Sequence, residues 1–225
     1  MDVYEKTDRL AAETIQRASR QFNTVRRKVA LLTDFDEINV LIKRMYNRLR
    51  DDNKRTFKQI ADAEYLAASE GKLQDELEED FLLLILDDYD PVTGYVYTRE
   101  TERKQERLFE KVVSIISHEK SSGKTYQPDK PEETMLYPTN SEIRKAFDTA
   151  FRLWANMTQE YALRTHDRAR ERAFIALQGK SVMWHTEEDA RVCKKCEPLD
   201  GKIFPIEKLP AKPHLYCRCW ITLVE

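Results

Sequence analysis

LAAETIQRASRQFNTVRRKVALL, residues 10–32, decides the fold. Its apolar residues Ala11, Ile15, Ala18, Phe22, Val25, Val29 and Leu32 alternate steps of four and three, the period of a helix seam. No glycine precedes Gly71 and no proline precedes Pro91, so nothing in the first seventy residues breaks a helix. Asp34 or Asp36 is placed to cap a second helix, with Ile38, Leu41, Met45, Leu49, Phe57 and Ile60 inward and Gly71 at its end.

A third helix is expected from about Leu73 to Leu86, in a stretch to Thr98 that holds eight acids and no base. Pro91-Val92-Thr93-Gly94 reads as a turn, and Tyr95-Val96-Tyr97 as a short extended piece. The next helix covers about Thr98 to His118, with Leu108, Val112, Ile115 and Ile116 inward. Residues 120–138, KSSGKTYQPDKPEETMLYP, have the composition of a linker. Thr139 and Glu142 fit a capping box for a helix that runs to about Leu177. Its stripe is Ile143, Phe147, Ala150, Trp154, Met157 and Tyr161, and Gly179 is expected to close it. Beyond it, Val182–Trp184 and Trp220–Val224 read as strands around a proline-rich loop, with Trp184 and Trp220 packing across a small lobe. The expected organisation is a helical region 1–119, a linker 120–138, and a helix plus C-terminal lobe over 139–225.

Charged residues make up 35% of the 225, and the net charge is −2, so composition alone points to no polyanion. Met1–Lys6 carries charges where a signal peptide needs an apolar core. The longest strongly apolar run, Phe81–Leu86, is far too short to span a bilayer. A soluble protein made in a reducing cytoplasm is expected, where clustered cysteines serve as metal ligands more often than as disulfides.

All four cysteines lie between positions 193 and 219, as Cys193-x2-Cys196 and then His214-x2-Cys217-x-Cys219. Zinc takes four N or S ligands at tetrahedral corners, commonly from two close pairs. Cys217 and Cys219, on extended backbone, share a face. Two ligand sets follow: three cysteines with His214, or four cysteines with His214 behind them. Either leaves no open position for water, which makes the metal structural. A disulfide pair or buried thiols are the competing reading, and His185 is a further metal candidate.

Trp184-His185-Thr186-x2-Asp189-x-Arg191-Val192-Cys193-x2-Cys196-x2-Leu199-Asp200-Gly201-Lys202, followed by Pro213-His214-x2-Cys217-Arg218-Cys219, resembles the C-terminal signature of the phage Mu F-like minor head proteins, also called phage head morphogenesis proteins. The preceding Arg164-Thr165-x-Asp167-x2-Arg170-x-Arg172-Ala173 is similar to the family's basic helix. The resemblance covers about residues 140–220. It implies a low-copy virion component, made in the host cytoplasm, that associates with the portal vertex and with capsid or scaffold proteins, and it allows contact with double-stranded DNA during packaging or ejection. His166 stands where members often carry Glu, and Pro210-Ala211-Lys212-Pro213-His214-Leu215 departs from the family's usual Pro-Pro-x-His-Pro. Some members carry C-terminal toxin domains, for which the six residues after Cys219 leave no room.

Other signals are weaker. Gly123-Lys124-Thr125 lacks the earlier glycine of a phosphate loop, position 118 being His118. Arg164, Arg168 and Arg172, four apart on a helix, together with Lys194 and Lys195, could meet a phosphate backbone or form a solvated ion-paired face. The acidic stretch 75–90 could dock a basic partner or be plain surface. No nucleophile elbow or H-E-x-x-H occurs, so no catalytic residue is assigned. A zinc-knuckle nuclease using His185, Asp189 and His214 is the enzymatic alternative, and a zinc-stabilised DNA-binding module the other. His118 and His166 show no partner in the sequence. The expected protein is mainly α, long-helical, with a small C-terminal α+β zinc-knuckle lobe.

Overall fold

A computed structural model describes residues 3–73, 77, 78, 80–121, 138–186 and 194–224, with backbone alone at 119–121 and 138–140. Cys193, Asp189, the Gly123-Lys124-Thr125 segment, nearly all of the expected linker, the Thr139 side chain and several acids of 75–90 lie outside the described residues.

The chain is mainly α-helical. Its helices are α1 (Glu5–Val29), α2 (Phe35–Ala68), α3 (Phe81–Asp87), α4 (Tyr97–Ser121) and α5 (Pro138–Ala176). A two-residue hairpin, β1 (Tyr89–Asp90) with β2 (Tyr95–Val96), precedes α4. A C-terminal sheet has strand order β4-β3-β5, from β3 (Ser181–His185), β4 (Ile203–Pro205) and β5 (Trp220–Val224), all antiparallel. No helix among the described residues is long and apolar enough to cross a membrane.

Local chemistry sets most boundaries. Asp34 Oδ1 accepts the backbone N–H of Asp36 at 2.8 Å and of Glu37 at 3.1 Å, so Asp34 starts α2. Glu70 and Gly71 close it with φ of 53° and 74°. The expected third helix is shorter than its sequence suggested, beginning only at Phe81. In the hairpin turn, Gly94 at φ 77° donates its N–H to the Asp90 carbonyl at 2.8 Å. Pro138 opens α5 in the first helical turn, where its missing N–H is no loss.

The end of α5 differs from expectation. Gln178, at φ 59°, takes the left-handed position, and the Gly179 N–H reaches back to the Phe174 carbonyl at 3.0 Å. Gly179 is demanded by crowding instead: an added Cβ would lie 2.3 Å from Leu223 Cδ1 and 3.0 Å from the Phe174 carbonyl oxygen.

Two compact units divide the chain. One comprises Met1–Ala12, Lys54–Tyr97 and Gln159–Glu225; the other comprises Glu13–Asn53 and Thr98–Thr158. The second unit packs segments of α1, α2, α4 and α5 around aromatic rings. Phe22 meets Tyr46, Phe147 and Phe151 edge-on at 5.6–6.4 Å, and Tyr46 meets Trp154 at 5.5 Å. Asn53 Nδ2 donates to Thr158 Oγ1 at 2.9 Å inside it. Ile42, rather than Leu41, faces this interior.

The first unit is built around the C-terminal half of α5. Every residue from Glu160 to His166 is buried, so this stretch has no solvent face. Its polar side chains must then find partners inside the protein. Thr165 bonds back to the Tyr161 carbonyl at 2.8 Å, and His166 Nδ1 lies 3.1 Å from Thr7 Oγ1.

Candidate metal centre

Three cysteine sulfurs meet in the first unit. Cys196, Cys217 and Cys219 are buried, and their Sγ atoms lie within 4.8 Å of one another. No disulfide joins them. Three thiols so placed could hold a metal ion.

Each sulfur is placed by a separate piece of local structure. Cys196 starts a 3₁₀ turn, Glu197–Leu199, whose Leu199 N–H returns to the Cys196 carbonyl at 2.8 Å. The next residues explain the L-D-G-K run. Leu199 packs against the cysteine cluster. Asp200 Oδ1 accepts the Thr186 N–H at 2.7 Å. Gly201, at φ 68°, supplies a left-handed turn, and its N–H bonds the Trp184 carbonyl at 2.8 Å. Lys202 accepts the Trp184 N–H at 2.9 Å. The run therefore ties the Cys196 turn to the end of β3.

Cys217 and Cys219 share a face, as extended backbone dictates, with the Arg218 side chain turned away. Arg218 Nη1 reaches Asp8 Oδ2 at 2.6 Å, and its guanidinium lies 5.0 Å from the centre of the Tyr4 ring. Tyr216, at φ 56°, turns the chain into this segment, and its N–H donates to Glu160 Oε2 at 2.6 Å. Glu160 thus anchors the cysteine loop to α5.

The Cys196 and Cys217 sulfurs are 3.7 Å apart, and His214 Nε2 is 3.2 Å from Cys196 Sγ. A tetrahedral zinc ion with ordinary bond lengths separates two sulfurs by about 3.8 Å and a sulfur and a nitrogen by about 3.6 Å. The His214 Nδ1 faces the Leu215 carbonyl at 2.7 Å. A proton on Nδ1 donates there and leaves the Nε2 lone pair toward the sulfurs.

Electrostatics favour thiolate at Cys217. A hydrogen bond from the Cys219 thiol, with Lys212 nearby, lowers Cys217 to about 6 against the opposing effect of burial. Cys219, as the donor in that pair and buried, is raised. The buried Trp184 indole N–H lies toward Cys219 in the same apolar cluster and is the smallest influence there, opposing the rise.

A polar network surrounds the cluster. Tyr4 Oη lies 2.7 Å from both Asp167 Oδ1 and the Cys219 carbonyl oxygen. Lys212 donates to the same carbonyl, pairs with Asp167 at 3.2 Å, and sits 5.3 Å from the Trp184 ring centre. Arg170 joins Glu64 Oε1 at 2.5 Å to the Ile221 carbonyl at 3.1 Å. The Tyr4 ring is 4.4 Å from that of His166, and Glu64 Oε2 is 3.4 Å from His166 Nδ1. Burial, with Arg170, Lys212 and Arg218 adding to it, lowers His166 to about 2. Burial raises Glu64 to about 7 despite the Arg170 guanidinium beside it.

The other sequence candidates fall elsewhere. His185 stacks on Trp220 at 5.3 Å, with Nε2 2.7 Å from Thr222 Oγ1, on the sheet face opposite Trp184. Trp184 and Trp220 therefore do not pack on each other; Trp184 meets Phe204 instead. Arg164 is buried, held by Glu160 at 2.7 Å and Asp90 at 3.5 Å. Arg168 pairs with Glu171 at 3.0 Å and Arg172 with Glu78 at 2.7 Å. Lys194 and Lys195 are exposed. Tyr4, Lys212, Trp184 and Arg170 were not readable as site residues, because their partners are distant in sequence.

Compared with protein-family models, with curated proteins and with solved structures, the chain finds no match.

Proposed function

We propose that this chain is a structural protein of a phage head, of the Mu F-like minor head kind, whose C-terminal lobe is cross-linked by one zinc ion. When bound, the metal supplies a rigid, redox-inert cross-link between the Cys196 turn and the Cys217–Cys219 segment. Cys196, Cys217 and Cys219 give three ligands, and Cys193 or His214 the fourth. The observation that carries the reading is the convergence of three buried sulfurs within 4.8 Å of one another, the Cys196–Cys217 pair at 3.7 Å, among the residues that carry the resemblance.

Such a lobe has little core of its own. Its buried cluster includes the three cysteines among Phe174, Val182, Trp184, Ile206 and Ile221. A metal at that point does for the lobe what a larger apolar core does elsewhere. In this reading no substrate is turned over, and the rigid lobe is a recognition surface for portal, capsid or scaffold. The test is co-purification with portal-containing assemblies of the same phage. Recovery that disappears in Cys217→Ser supports the reading. Absence of the intact chain from those assemblies contradicts it.

A DNA contact is a second reading, favoured by the exposed Lys194 and Lys195 beside Cys196. It would use Arg168 and Arg172 as well, after release from Glu171 and Glu78. Duplex affinity that falls steeply with salt, and that K194A/K195A weakens across all sequences, would support it.

A further inference from the structure

The second unit carries a groove of about 410 Å³ between α4 and α5. Its floor is apolar, from Tyr46, Leu108, Ile115, Ala150 and Leu153. Leu153 is 45% exposed. The rim is basic. Lys104, half-buried, is neutralised by Glu100 at 2.8 Å. Arg107 and Lys111 on α4 and Lys145 on α5 are exposed and form no ion pair among the described residues. Glu142 is the single acid among the lining residues. An apolar floor under three unpaired cations calls for an apolar occupant that carries acids.

The chain itself displays such an occupant. On α3, Leu83 and Leu84 are 52% and 60% exposed. Asp80 and Asp88 flank them and are exposed, and Tyr89, 65% exposed, extends the apolar patch. The stretch from Leu73 to Thr98 contains no base at all. The α3 stretch thus offers leucines to an apolar floor and aspartates to a basic rim.

We propose that the α3 tip of one copy docks in the α4–α5 groove of a second copy. The two surfaces differ, so the contact is heterologous and joins copies head to tail. One short helix in one groove is a small interface, below about 1,200 Å², which makes the association weak and transient. Its charged rim makes it sensitive to salt.

Sedimentation velocity on the full chain tests this. The wild type is expected to associate as its concentration rises, and association should weaken about tenfold from about 0.05 M to about 0.5 M NaCl as screening shortens the reach of the charges. K111E/K145E removes the groove and L83S/L84S removes the tip, and each variant alone should stay monomeric with unchanged helical content. Mixed together, the two should form a one-to-one complex, because each still owns the surface the other lacks. D80K/D88K should restore association to K111E/K145E. A wild type that is monomeric at about 200 µM in low salt would overturn the proposal, because weak transient interfaces of this size should still populate there. So would association that L83S/L84S retains, or a folded mixture that does not pair.

Discussion

Tyr4→Phe removes one oxygen atom and keeps everything else about the ring. The hydroxyl has a single proton and faces two acceptors, Asp167 Oδ1 and the Cys219 carbonyl, both at 2.7 Å. The carboxylate is the stronger acceptor and takes the proton. Lys212 already serves the carbonyl. The variant therefore loses the charge-assisted hydrogen bond to Asp167 and the longer one that the oxygen accepts from Lys212 at 3.3 Å, a cost of about 2 kcal/mol while Lys212 still holds Asp167. For a chain of this length that lowers Tm by about 4–8 °C, in the transition that reports the first unit. Tyr4→Ala also loses the ring packed between His166 and Arg218, for a total of about 3–5 kcal/mol or more. Thermal unfolding by circular dichroism, with amide exchange at Thr7 and Asp8, reads both changes. A Tyr4→Phe protein within about 1 °C of wild type would refute the argument that this hydroxyl ties the start of α1 to the cysteine loop.

Gly179→Ala should destabilise by about 1–3 kcal/mol, since its methyl collides with Leu223 and the Phe174 carbonyl. Gln178→Gly, one residue earlier, should stabilise by about 0.5–1 kcal/mol by relieving a left-handed side chain; denaturant midpoints compare the two. Acid stability should follow His166, lowered from 6.5 to about 2 in the fold, so that its contribution is present above pH 6.5 and is lost as pH falls. Glu64, raised from 4.5 to about 7, acts oppositely, and its contribution is present at low pH and is lost as pH rises through 7. The two offset each other between pH 4.5 and 6.5. Below that window stability should fall with pH, and less steeply in His166→Asn than in the wild type, as urea titrations would read.

The long helices were legible because much of each inner face is apolar at helical spacing. Where the stripe on α1 reaches Thr7 and Thr14, both buried, the period continues but the apolar signal stops. Those positions serve a polar interior that the local sequence does not announce. The same gap explains His166, whose partners Thr7, Glu64 and Tyr4 come from other helices and segments. β4 went unread because Ile203-Phe204-Pro205 is short and ends in proline. In the site, Cys196, Cys217 and Cys219 were legible because ligand spacing is a local property. Trp184 beside Cys219, and Lys212 and Tyr4 at its carbonyl, are products of tertiary packing. Arg164 shows the converse: helical spacing aligned it with Arg168 and Arg172, yet all-round burial of α5 at that point turned it inward to Glu160 and Asp90.

The central claim is a metal-held lobe, and elemental analysis of the native protein with thiol counting tests it most directly. One zinc per chain is expected, with Cys196, Cys217 and Cys219 unreactive until a chelator removes the ion. Removal should then unfold the β3–β5 lobe, since structural zinc contributes about 10–16 kcal/mol to small sites of this kind. Cys217→Ser should bind no zinc, and comparing Cys193→Ser with His214→Ala identifies the fourth ligand. A chain purified without any metal, whose thiols react at once and whose lobe survives chelator unchanged, would contradict the account.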